Sequence, residues 1–235
     1  MQNRPSLLAG FIAIVVLGGL FPALVGCQGA KSTGTTPAAV PSSQETTPKS
    51  AEQSAAATND QGETLYTPAY KPNGNEVAVI KTNKGTITVA LLGKDAPVTV
   101  GSFIELANKG FYNNLKFHRF EPGFVIQGGD PLTRDLTSEQ VKAGGNGSLG
   151  TGGPGYAIVG EFQNSPNKHV DGTLAMARSQ SPDSGGSQFY FTLGPQSFLD
   201  KNYTVFGQTT KGLDVIHQLG VGDVIESITI ENATK

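Results

Sequence analysis

From Val77 onward the chain is cut into short runs rich in β-branched and aromatic residues, most of them closed by a turn that carries glycine, proline or asparagine. Many short strands joined by glycine-rich turns argue a sandwich or a barrel. VAVIKT and TITVALL flank Asn83-Lys84-Gly85 and read as a hairpin. FHRFEPGFVIQGGD, residues 117–130, reads as another, folded about Glu-Pro-Gly. Further strands are expected at Tyr156–Val159, Thr173–Arg178, Gln188–Leu193, Thr204–Gln208 and Val224–Ile230. One helix is expected in DAPVTVGSFIELANKGFY. There Asp95 or Thr99 can cap, Pro97 falls in the first turn, Phe103, Ile104, Leu106 and Ala107 form an apolar stripe, and Gly110 stops the run. A second spans Leu213–Leu219 and ends at Gly220. Residues 131–156 read as loop, with a short helix near Ser138–Ala143. About 160 residues suffice for one sizeable core.

The chain before Val77 has a different composition. Arg4 precedes a mostly apolar run, Leu7 to Leu24, interrupted by Gly18, Gly19 and Pro22. That run is near the lower limit for a membrane span, and a positive start, an apolar middle and small residues describe a secretory signal. Leu24-Val25-Gly26-Cys27 follows and resembles the bacterial lipobox, which implies that Cys27 is acylated and becomes the mature N-terminus. Cys27 is the chain's one cysteine, so no intramolecular disulfide can form. Residues 28 to about 75 are rich in Ser, Thr, Ala, Pro and Gln, lack apolar periodicity and are expected to be disordered. Such a coil has an r.m.s. reach of roughly 40 Å. The organisation read from sequence is therefore a signal over 1–26, a tether over 27–75 beginning at lipidated Cys27, and a folded domain over 76–235. The expected location is extracytoplasmic and membrane-anchored, facing a periplasm or the outside, or a thylakoid lumen if the source is a cyanobacterium.

Several chemistries lack their residues. A formal net charge of −2 gives no support to a nucleic-acid binder, which would normally show a basic face. Gly145-Asn-Gly-Ser-Leu-Gly150 matches GxGxxG but neither leaves a strand nor opens a helix, and no GK[ST] follows. His118, His169 and His217 have no metal-ligand spacing, and the folded part holds no Cys. There is no GxSxG. No metal or cofactor is expected.

What remains is dispersed: FHRFEPGFVIQGGD at 117–130, GTLAMARSQSPDSGGSQFYFTL at 172–193 and SFLDKNYTVFGQ at 197–208, with TGGPGY…EF at 151–162. In this order and spacing the blocks resemble the cyclophilin family of peptidyl-prolyl cis/trans isomerases, over nearly all of 77–231. The resemblance implies a mainly β fold, a closed eight-stranded antiparallel β-barrel capped by two α-helices. It implies Arg119, Phe124 and Gln127 as catalytic residues. It implies His118, Val125, Ala177, Arg178, Gln188, Tyr190, Phe198, Leu199 and Tyr203 as substrate-binding residues. Val125 stands where the family usually has Met, Arg178 where many members have Asn, Phe198 where cyclosporin-sensitive members have Trp, and Tyr203 where many have His. Phe198 lacks the indole donor, so weak cyclosporin binding is expected. The expected partners are proline-containing segments of client proteins and, through the lipid, a membrane; the expected state is a monomer. A second reading is a catalytically weak cyclophilin-like binding module or chaperone docking on such segments in a membrane complex.

These residue types suit the reaction. The X–Pro bond rotates over a barrier near 18–20 kcal/mol without any covalent bond breaking. An enzyme must favour the twisted amide, whose nitrogen has lost resonance. A guanidinium always carries donors and can reach that nitrogen's lone pair, while apolar side chains hold the ring.

Overall fold

The computed structural model describes residues 57–232. The signal, Cys27 and the first part of the expected tether lie outside the described residues. Strands β1 (Glu76–Thr82) and β2 (Gly85–Leu91) form the first hairpin, with Thr82 opposite Gly85 across a two-residue turn. Helix α1 (Pro97–Asn108) follows, then β3 (Leu115–Lys116), β4 (Arg119–Glu121) and β5 (Val125–Gly128). After the short helix α2 (Ser138–Lys142) come β6 (Thr173–Met176), β7 (Phe189–Thr192), β8 (Val205–Lys211), helix α3 (Leu213–Ile216) and β9 (Val224–Asn232).

The nine strands form one antiparallel sheet in the order β3-β9-β1-β2-β8-β6-β7-β5-β4. The fold is mainly β, as expected. The closed eight-stranded barrel is not what the ladders form: β3 and β4 occupy the two ends of the order. Only Phe117 and His118 separate those ends along the chain, and neighbours in sequence cannot pair with each other. Their N–H groups turn to different partners, Phe117 to the Asp223 carbonyl (2.9 Å) and His118 to that of Gln127 (3.0 Å).

The helices also differ from expectation. In place of the two capping helices expected, the described residues hold three α-helices, α1 of substantial length and α2 and α3 short. The second expected helix stops at Ile216, because the next turn tightens to bonds three residues apart: Gln218 N–H to Val215 and Leu219 N–H to Ile216. Neither Asp95 nor Thr99 caps α1. The Glu161 carboxylate does so from a distance, accepting from the N–H groups of Val98 (3.0 Å) and Thr99 (2.8 Å) and from the Thr99 hydroxyl (2.8 Å). The short helix near Ser138 is present, with a reciprocal cap between Thr137 and Gln140. The expected strand Tyr156–Val159 is reduced to isolated bridges, Ala157 to Leu65 and Ile158 to Gly185.

Composition also misplaces residues 57–75, which pack onto the domain rather than continuing a disordered tether. Glu105 on α1 accepts from the Tyr66 hydroxyl (2.5 Å) and the Tyr70 N–H (2.8 Å), and the Tyr66 ring lies 4.3 Å from that of Tyr156. The hydrogen bond to Glu105 pushes the Tyr66 phenol up to about 12. A Cβ on Gly101 would come within 2.7 Å of the Tyr70 carbonyl, so this contact needs glycine on α1.

Side chains alternate across the sheet. One set, including Ile126, Phe189, Phe191 and Phe206, fills the main core together with Phe103 of α1 and Phe117. The opposite set, Val125, Ala175, Tyr190 and Val205, builds a second, smaller cluster with Leu199.

Candidate active site

The second cluster lies on one row of the sheet. Arg119 on β4 pairs with Gln127 on β5, Gln127 with Tyr190 on β7, Tyr190 with Ala175 on β6, and Ala175 with Val205 on β8. Residues opposed across antiparallel strands share a face. Val125, two residues before Gln127, shares it too. The turn that joins β4 to β5 adds Phe124, which packs with Leu92, Ala177 and Tyr203 around this cluster. The 3₁₀ turn Ser197–Leu199 then supplies buried Leu199 and exposed Phe198, whose ring stacks on Phe124 at 5.5 Å.

Polar groups border this apolar floor. The Arg119 guanidinium lies 5.8 Å from the Phe124 ring centre, and its Nη1 donates to Gln127 Oε1 at 3.4 Å. Gln127 Nε2 donates to Gln188 Oε1 (2.9 Å), and Gln188 Nε2 to the Gly152 carbonyl (2.8 Å). Each amide thus accepts on one side and donates on the other, which fixes the orientation of both. The far end of this chain is held by buried Asp130, whose carboxylate accepts from Leu132 N–H (2.8 Å) and Gly150 N–H (2.5 Å). A Cβ at position 152 would come within 2.1 Å of Asp130 Oδ1, so glycine is required where the loop passes. Arg119 Nε also pairs with exposed Glu121 at 3.7 Å, a solvent-screened contact.

Of the residues singled out in the sequence, Arg119, Phe124, Val125, Gln127, Ala177, Gln188, Tyr190, Phe198, Leu199 and Tyr203 converge here. Arg178 adjoins them. Its guanidinium lies 4.7 Å over the Tyr203 ring and donates to the carbonyls of Asn202, Ser179 and Gln180 at 3.0–3.1 Å. His118 is set back beneath the surface: both its ring nitrogens are buried without a hydrogen-bond partner among the described residues, and burial lowers its pKa, partly opposed by Asp130.

Sequence reasoning missed two sets of residues. One is the support of Tyr190. Its hydroxyl meets His169 Nε2 at 3.1 Å, and His169 Nδ1 meets Asp200 Oδ1 at 3.0 Å. The carboxylate can only accept, so Nδ1 carries the proton and Nε2 accepts from the phenol. Burial lowers the His169 pKa and raises that of Tyr190. Asp200 lies in the FLD block and was within reach of motif reading; His169 carries no local signal. The other set is Gln61, Glu63 and Thr64, which line a cleft of about 670 Å³ together with Gln127, Ala177 and Gln188. Their polar composition hid them.

Comparison with known proteins agrees with this architecture. Residues 77–235 match the family model described as cyclophilin type peptidyl-prolyl cis-trans isomerase. The chain is 43% identical over 158 residues to a peptidyl-prolyl cis-trans isomerase of Helicobacter pylori (strain ATCC 700392 / 26695), covering 66% of this chain and 87% of the relative. It is 42% identical over 145 residues to peptidyl-prolyl cis-trans isomerase B of Bacillus subtilis, covering 62% and 90%. Among solved structures it resembles a Cryptosporidium parvum cyclophilin-type isomerase crystallised in the presence of the dipeptide Ala-Pro. That match has a TM-score of 0.56 and 27% identity, covering 66% of this chain and 99% of that one. The chain therefore belongs to the cyclophilin-type peptidyl-prolyl cis-trans isomerases, with the family's domain over residues 77–235.

Proposed function

We propose that this isomerase turns X–Pro bonds on the Arg119–Val205 face, with Arg119 as the group that stabilises the twisted amide. The observation that carries the assignment is a guanidinium 5.8 Å from the Phe124 ring and braced by Gln127, beside the apolar floor of Val125, Tyr190 and Leu199. The floor and Phe124 hold the proline ring, and the chain on the other side of the bond rotates. As resonance is lost the prolyl nitrogen gains a lone pair, and the guanidinium donates to it more strongly than to the planar amide. Differential binding of that kind lowers the barrier. Gln127, fixed by Gln188, steadies Arg119 and offers an amide to the substrate backbone. Arg178, Phe198 and Tyr203 form the surrounding wall, and His118 lies behind it. An isomerisation assay on a proline peptide tests this. Arg119→Ala is expected to lower kcat/KM by about 10²–10³, the usual loss for one transition-state donor, while the protein stays folded. Near-wild-type rates in that variant would refute the assignment.

We read the curled sheet as acting like the family's barrel, with β3 and β4, the two ends of its order, counted as one bent strand because two residues separate them in the chain. The clients are proline-containing segments of extracytoplasmic proteins, engaged by a monomer. The motivation is Arg4, the apolar run and LVGC upstream of the domain. Cys27→Ser should abolish incorporation of labelled fatty acid in a bacterial host; absence of label in the wild-type chain would refute the anchor.

A further inference from the structure

The cleft beside Gln127 has a wall that lies outside the family match. The match begins at residue 77, yet Gln61, Glu63 and Thr64 line the cleft together with Thr151–Tyr156 and Ser179. Its volume, about 670 Å³, falls within the roughly 300–1,000 Å³ of ligand pockets. It is continuous with the site already described, because Gln127, Ala177 and Gln188 line it as well.

This wall is tied to the domain on two sides. Ala157 N–H donates to the Thr64 carbonyl (2.9 Å) and Tyr66 N–H to that of Ala157 (2.8 Å). On the other side Asn59 Nδ2 donates to the Asp183 carbonyl (3.0 Å), Ser179 Oγ to Gln61 Oε1 (3.1 Å), and the Ser181 hydroxyl to the Asp60 carboxylate. Two charged side chains line the cleft, Glu63 and Arg178. Nε and Nη1 of Arg178 donate to three backbone carbonyls. The Glu63 carboxylate is exposed and accepts from Asn59 Nδ2 on one oxygen (2.8 Å); no cation lies within ion-pair distance of it among the described residues. The cleft therefore presents spare acceptor capacity and, at Glu63, a carboxylate that no ion pair engages among the described residues, while the Arg178 guanidinium is turned to backbone carbonyls and the Tyr203 ring.

We infer that residues 59–64 are a specificity wall of the isomerase, and that Glu63 favours clients with a lysine or arginine close to the proline being turned. The inference rests on the active-site reading above. It is tested on the full chain with Ala-Pro peptides carrying Lys or Glu in turn at each of the two positions on either side, beside an Ala-flanked reference. At one of these positions kcat/KM for Lys should exceed that for Glu by about two- to fivefold at low salt, the range of an exposed ion pair. The ratio should fall as salt screens it. It should collapse in Glu63→Gln and invert in Glu63→Lys, while Glu226→Gln, an exposed change on β9, should leave it in place. A Lys/Glu ratio that is the same in wild type and Glu63→Gln would overturn the inference. Should the substitutions disturb the fold, a salt-independent ratio in the wild type overturns it equally. Turnover of the Ala-flanked peptide separates the two levels: if the wild type fails to accelerate even that, the active-site reading falls, and this inference with it.

Discussion

The hydroxyl of Tyr190 ends on a buried imidazole, and that contact ties the floor of the pocket to Asp200 and, through it, to Lys168 (3.3 Å). His169 must be neutral to accept from the phenol while donating to the carboxylate. Burial lowers its pKa and that of His118, so the folded chain resists protonating either ring. The unfolded chain protonates them near the ordinary value of about 6.5. Between that value and the lower folded ones, the unfolded state binds more protons. Stability is thus fully present above about pH 6.5 and is lost as pH falls towards the folded values, by up to about 1.4 kcal/mol per pH unit for each histidine. Denaturant midpoints measured from about pH 7.5 down to 5 should fall below the histidine range; midpoints that hold level would contradict the neutral, buried assignment. At this scale the sequence brought out Arg119, Phe124 and Gln127 as candidates because they share one motif. It did not reveal His169, whose partner Asp200 is 31 residues away and becomes a neighbour only through folding.

At the level of elements, the β4–β5 hairpin explains why an arginine and a glutamine occur among phenylalanines. Ile126 faces the main core while Val125 and Gln127 face the site, because successive side chains point to opposite sides of a strand. That period was readable from the sequence, and so were the first hairpin and most of α1. The cap of α1 was not readable, since Glu161 lies 62 residues beyond Thr99. Glu161→Ala removes three hydrogen bonds and leaves two helix N–H groups without that partner. Loss of a cap costs about 0.5–2 kcal/mol, and charged hydrogen bonds place this site at the upper end. A cost near 2 kcal/mol should lower Tm by about 4–8 °C in a domain of this size. An unchanged melting temperature would mean that water replaces the carboxylate at little cost.

For the whole molecule, one curled sheet separates the main core from the face that carries the candidate site, and residues 57–75 add Gln61, Glu63 and Thr64 to the cleft beside it. That segment was illegible because most of it is polar and its large apolar anchors are few, chiefly Tyr66 and Tyr70 packed on the main core. The sheet's order was illegible for another reason: β3 and β4 lie at opposite ends of it yet are two residues apart in the chain. The central claim is that the assembled face catalyses rotation by a permanent charge acting on an apolar-held proline, with no proton transferred. Its most direct test is kcat/KM on an X–Pro peptide from pH 6 to 8, for wild type and Arg119→Lys, under conditions where both stay folded. The wild-type profile should be flat within about twofold, since no general acid or base takes part. The rate should be lower in Arg119→Lys, because an ammonium lacks the planar fork that reaches two acceptors. A steep profile with a midpoint near the histidine value of about 6.5, or a lysine variant as fast as the wild type, would contradict the central claim.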